Sequence, residues 1–114
     1  MLFLSKYDKF YSMLVSQFGE HIKQLREKSN LLQKDVAASL SIDSPMLSKI
    51  ENGERKAKRE QVLLLADIYK TDKENLISLW LADRIIDVLK NEDSAVKALK
   101  VAQKNLNNKE SKDK

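Results

Sequence analysis

Apolar residues return every three or four positions along most of this chain, and the polar residues between them fall where helices start and stop. Phe18, Ile22 and Leu25 set a first helix over about 18–28, halted by Asn30. Gln33 to Leu40 reads as a short second helix with Val36, Ala37 and Leu40 on one side. The run Ser41-Ile42-Asp43-Ser44-Pro45 follows, with two N-cap candidates, Asp43 and Ser44, and a proline that is tolerated only in a first helical turn. A third helix therefore starts near Ser44, turns Leu47 and Ile50 inward, and ends at Asn52-Gly53, where glycine takes the left-handed cap.

Val62, Leu65, Ala66 and Ile68 mark a fourth helix over about 60–69, and Thr71-Asp72 cap a fifth whose first turn holds Glu74 and Asn75. Leu76, Ile77, Leu79, Trp80, Leu81, Ala82, Ile85, Ile86, Val88 and Leu89 cover more of that fifth helix than one core-facing stripe requires, so part of its surface needs a second partner. Residues 91–94 interrupt the pattern. Val96, Leu99, Ala102 and Leu106 then mark a sixth helix, ahead of the polar tail "NNKESKDK", which is expected to be disordered.

Composition narrows the choices. The 114 residues, 42% hydrophobic with two glycines and one proline, suit one all-α domain. With no cysteine and a lone histidine, His21, there is no disulfide framework and no thiolate or zinc cage, so no metal or cofactor is expected and His21 reads as a surface residue. No glycine-rich phosphate loop, cysteine nucleophile or Ser-His-Asp set is present, which argues against an enzyme. Lys6, Asp8 and Lys9 break the apolar start "MLFLSKYDKFYSMLVSQF", and nothing resembles a cleavage site, so the expectation is a cytoplasmic protein without a membrane span. Net charge is only +4, yet Arg55-Lys56-Ala57-Lys58-Arg59 places four positive charges in five positions. Taken alone, such a run is a solvated turn. Its place directly after the third helix sets it apart from the other basic residues, most of which are matched by nearby acids.

Two short helices joined by a four-residue turn, with Ala37 where backbones approach, meet the requirements of a helix-turn-helix. Val36, Leu40, Ile42, Leu47 and Ile50 form a wedge that fixes the angle between them and leaves Ser44, Pro45, Met46, Ser48 and Lys49 facing outward. Here the chain resembles a known family. The stretches "IKQLREKSNLLQKDVAASL", "LSKIENG" and "LLLADIYKTDKENL" are similar to the five-helix DNA-binding domain of lambdoid phage repressors, Cro proteins and the wider Xre regulators, over residues 18–77.

The resemblance implies a structural ion pair between Arg26 and Glu51. It implies phosphate contacts from Gln33, Lys34, Asn52, Arg55 and Lys56, with Lys58 and Arg59 in the same basic turn, and base contacts from Ser44, Pro45 and Lys49, with Met46 and Ser48 beside them. The chemistry agrees: Lys49 can donate to guanine, the two serines to several bases, and Met46 or Pro45 can meet a thymine methyl. No Asn, Gln or Arg precedes Asn52 on this helix, which leaves part of the specificity to DNA shape. Three positions depart from the family pattern. Ser41 replaces a turn glycine at a cost of about 1 kcal/mol, Leu32 replaces a Ser or Thr cap, and Asp43 would repel phosphate unless its carboxylate is engaged in capping.

The expected organisation is an N-terminal extension of unknown role at 1–17, the DNA-binding domain at 18–77, a helical extension at 78–107 and a polar tail at 108–114. Within 1–17, Phe3, Tyr7, Phe10 and Tyr11 fit an extra helix, and Met13 is an alternative start. The surplus surface of the fifth helix, with Leu79, Trp80, Ile85, Ile86 and Leu89, is expected to form a homodimer interface together with the sixth helix, which is favoured over a ligand pocket for Trp80. The chain thus reads as a dimeric, sequence-specific transcriptional regulator on double-stranded DNA with a palindromic operator, of the size of restriction-modification controller proteins. The alternative is an antitoxin whose helices after residue 72 bind a toxin protein.

Overall fold

A computed structural model of the protein describes residues 17–113, with side chains through residue 110. Residues 1–16, which include the aromatic cluster and Met13, lie outside the described residues. Six helices and no strand occur within them: α1 (Gln17–Lys28), α2 (Gln33–Ser39), α3 (Ser44–Glu51), α4 (Arg59–Ile68), α5 (Lys73–Leu89) and α6 (Ala95–Asp113).

Helix ends follow from local chemistry. The Asp43 carboxylate accepts the Met46 amide at 2.8 Å and opens α3, with Pro45 in its first turn. The Asp72 carboxylate accepts the Asn75 amide at 3.1 Å and opens α5. Leu32 sits at the α2 N-cap with extended backbone and no side-chain bond. At α4, Gln61 Oε1 accepts the Lys58 amide at 2.8 Å, and a lysine side chain has no acceptor to return that bond.

The first four helices close in one way. Asn30, Ser41, Gly53 and Lys70 have φ of 57°, 59°, 80° and 53°. The next amide in each case reaches back into the last turn: Leu31 to the Arg26 carbonyl, Ile42 to Ala37, Glu54 to Lys49 and Thr71 to Ala66, at 2.9–3.2 Å. Only one of the four is glycine. Ser41 and Lys70 each accept about 1 kcal/mol of left-handed strain, as the sequence indicates for Ser41. Leu31 and Ile42, the residues that follow Asn30 and Ser41, are half-buried against the core, and this apolar contact works against the strain.

Around one core, α1 packs on α3 and α5, α2 on α3, and α4 on α5. Ile22, Val36, Leu47, Val62, Leu65 and Leu76 are its most enclosed side chains, and Phe18, Ala37, Leu40, Ile50, Ala57, Ala66, Tyr69 and Trp80 complete it. Helix α5 runs unbroken through residues 77 and 78, and Trp80 on it belongs to the core. The tail expected at 108–114 is revised: α6 runs to Asp113. Every side chain from 96 to 110 is exposed, so α6 stands off the domain.

Gly19 decides how closely α1 approaches α3. A Cβ at this position would lie 2.5 Å from the Glu51 carbonyl oxygen and 2.6 Å from that of Ile50. Because both are backbone atoms, the helices would have to separate. Gly19→Ala is therefore expected to lose about 1–3 kcal/mol despite its better helix propensity, whereas Ser41→Gly gains up to about 1 kcal/mol. Urea unfolding of both variants checks the opposite signs.

Candidate nucleic-acid interface

The last turn of α3 carries a carboxylate inside the fold. The Glu51 side chain is 1% exposed and Arg26 reaches it with two bonds, Nε to Oε2 at 2.8 Å and a terminal guanidinium nitrogen to Oε1 at 3.2 Å. Gln33 Nε2 donates to the same Oε1 at 2.9 Å, and the remaining guanidinium nitrogen binds the Leu31 carbonyl at 3.2 Å. One buried anion thus ties α3 to α1 and to the start of α2. The Glu51 hydrogen bond raises the Arg26 pKa further above its ordinary value. Gln33, expected to meet a phosphate, has its amide turned to Glu51, and this side-chain bond supports the α2 start that Leu32 leaves uncapped.

With Leu47, Ile50 and Glu51 turned inward, the opposite side of α3 faces solvent. Pro45 and Lys49 are exposed there, and Ser44 and Ser48 are half-buried. Met46 is half-buried against the core, so it stands lower on this face than its neighbours. The carboxylate of Asp43 is engaged with the Met46 amide, which answers the repulsion expected at this end of the helix. Exposed Lys34 and Asn52 lie at the starts of α2 and of the basic turn.

That turn is divided in its use of charge. Arg55 and Lys58 are exposed and have no ion-pair partner among the described residues. The Lys56 ammonium pairs with Asp87 of α5, and Arg59 lies over the Trp80 ring, its guanidinium carbon 5.3 Å from the centroid. Trp80, expected at a subunit interface, is instead a strut of the protomer. It is 8% exposed, donates Nε1 to the Ala57 carbonyl at 2.8 Å, and also carries Arg84 at 4.8 Å. An indole with a buried N–H needs a fixed acceptor, and the basic turn supplies it.

Three further residues belong to this arrangement and are not among the expected site residues. Asp83 of α5 accepts the amides of Gln17 and Phe18, each at 3.1 Å, where a helix carries unsatisfied donors and partial positive charge. Asp87 accepts Lys56 and, at 3.5 Å, Lys90. Tyr69 is buried, and its hydroxyl makes no hydrogen bond among the described residues. Only Asp83 and Asp87, at i and i+4 on α5, carry a pattern that could have been noticed.

Comparison with known proteins decides the class. A family model described as a helix-turn-helix domain matches residues 17–79, more than half of the chain. The chain belongs to the helix-turn-helix domain family. No curated protein and no solved structure matches it. In helix-turn-helix modules the second helix of the motif is the one laid in the major groove of DNA. No helix among the described residues is long and apolar enough to cross a membrane.

Removing one partner of a buried pair strands the other's charge, so Arg26→Ala is expected to destabilise the helix-turn-helix domain by about 3–5 kcal/mol. The Arg26→Met/Glu51→Met double variant is expected to be less destabilised than either Met single variant, and chemical denaturation of the wild type, both singles and the double measures the coupling.

Tyr69 adds a pH dependence. Burial, reinforced by the Glu51 charge, pushes its phenol from 10.0 up to about 12, while Arg26 opposes the rise. The unfolded chain therefore ionises first on raising pH. The stability contributed by the protonated phenol is complete below pH 10 and lost towards pH 12. Tyr69→Phe is expected to abolish that part of the alkaline loss and to be neutral or stabilising at pH 7, since it removes a buried hydroxyl without a protein partner. Unfolding midpoints of both forms across this pH range test it.

Proposed function

We propose that this protein is a sequence-specific transcriptional regulator that binds a palindromic operator as a homodimer. The observation that carries the reading is the outward face of α3. Ser44, Pro45, Ser48 and Lys49 are held on a helix that cannot rotate without breaking the Glu51 cluster, with the uncommitted cations Arg55 and Lys58 alongside. Base-edge donors flanked by phosphate-seeking cations are what major-groove recognition requires.

Dimerisation is supported by apolar surface left over after the core is complete. On α5, Leu81, Ile85 and Val88 are 39%, 45% and 75% exposed at i, i+4 and i+7. Val96, Leu99, Val101 and Leu106 of α6 are exposed as well. Isolated helices gain little stability without burying such a face, and contiguous exposed apolar surface marks protein contact. The interface is thus assigned to Leu81, Ile85 and Val88 with α6, rather than to Leu79, Ile86 and Leu89, which are half-buried within the protomer. A two-fold pair with recognition helices about 34 Å apart meets half-sites one DNA turn apart.

A restriction-modification controller is one regulator of this build. The same exposed α6 favours a second reading, an antitoxin in which a toxin protein covers the stripe. Light scattering separates them: a dimer of the chain alone supports the first, and a monomer that becomes stable only with a different protein supports the second.

Selection from a random duplex pool is expected to enrich a symmetric site. On that site Lys49→Ala relaxes base preference by about 1–3 kcal/mol at one position, while Arg55→Ala weakens binding to all duplexes and lowers the salt slope by about 1. Failure to enrich any sequence, or identical effects of the two variants, would contradict the proposal.

A further inference from the structure

The basic turn between α3 and α4 is strapped to α5 at two points. Trp80 holds the Ala57 carbonyl, and Asp87 holds the Lys56 ammonium. Between the turn and α5 lies a cleft of about 260 Å³ whose rim includes Arg55, Lys56, Arg84, Asp87 and Lys90. The two straps differ in kind. The indole bond is buried, whereas the ion pair is open to water, with side-chain exposures of 59% for Lys56 and 38% for Asp87. A buried bond to backbone fixes the turn. An exposed ion pair contributes little to stability and opens easily.

The pair nevertheless matters electrostatically. Of the three cations Arg55, Lys56 and Lys58, only Lys56 has a carboxylate partner among the described residues. The Lys56 hydrogen bond holds the Asp87 carboxyl below its ordinary range, with Lys90 reinforcing the effect, so the carboxylate stays charged. A backbone phosphate approaching the turn would therefore meet a lysine already bound to an anion. Lys90, 3.5 Å from the other Asp87 oxygen, is placed to neutralise that carboxylate once Lys56 leaves.

Resting on the DNA-binding reading, we infer that Asp87 is a built-in competitor of DNA: it holds Lys56 on α5 in the free protein and releases it to a backbone phosphate on binding. It is a positioning residue that touches no nucleic acid itself. It lowers affinity for every duplex alike, leaves base preference to α3, and makes the strength of phosphate contact depend on the helix that also carries the exposed Ile85 and Val88.

The test is duplex binding by fluorescence anisotropy at several salt concentrations, using the full chain. Asp87→Asn is expected to bind about two- to five-fold more tightly at low salt, the range of an exposed ion pair, and to steepen the slope of log K against log salt by up to about 1. Asp87→Glu should retain the wild-type slope, and a Lys56→Ala background should erase the Asp87→Asn gain while a Lys90→Ala background preserves it. Melting temperatures confirm that each variant is folded. A wild-type protein that binds duplex with Asp87→Asn indistinguishable from it overturns the inference alone. A gain that persists without Lys56 also overturns it, since bulk charge would then be the cause. A folded wild-type protein that binds no duplex at any salt overturns the DNA-binding reading and the inference together.

Discussion

A carboxylate at the end of a two-turn helix organises this domain. Glu51 is buried, and a buried anion is tolerated only when its oxygens are satisfied with good geometry. Arg26 and Gln33 satisfy them, and these residues come from the two helices against which α3 must be set. Hydrophobic packing would hold α3 in place, but apolar contacts have no direction and tolerate sliding and rotation. The bidentate guanidinium does not. By fixing the rotation of α3, it determines that Ser48 and Lys49 face solvent while Leu47 and Ile50 face the core.

The rest of the structure protects that geometry. Gly19 lets α1 come close enough for Arg26 to reach Glu51, since any side chain there would strike the carbonyls of Ile50 and Glu51. Asp83 steadies the same end of α1 from α5, and Trp80 pins the turn that follows α3. Backbone strain at Ser41 and Lys70, about 1 kcal/mol each, is the local cost of reversing the chain between these helices. The domain thus places rigidity around α3 and leaves exposed, loosely engaged charge in the turn beside it.

Much of this was readable from residues alone. Caps are local chemistry, so Asp43, Pro45, Gly53 and Asp72 mark the ends of α3 and the start of α5 to within a residue. Periodicity likewise selects Ile22, Val36, Leu47 and Leu65 as core. The link between Arg26 and Glu51, 25 positions apart, has no local signal and came only from family resemblance. The pattern alone cannot orient Trp80, because α5 is apolar around most of its circumference and a helix without a polar side does not say which face turns inward. Lys56 and Arg59 looked equivalent to Arg55 in the sequence. Their partners Asp87 and Trp80 belong to a helix brought alongside only by the tertiary fold. The tail after residue 107 is polar enough to read as coil, yet it carries α6 onward to Asp113.

The central claim is that the Glu51 cluster presents the outer face of α3, with its neighbouring turn, as the surface that meets DNA. Backbone amide chemical shifts recorded during titration with a selected duplex test it most directly. The account predicts that the largest changes fall on residues 44–49 and 52–58, with the Arg26 and Glu51 amides little moved and α6 unaffected. Changes centred on α6 or on the exposed side of α4, with α3 silent, would contradict it.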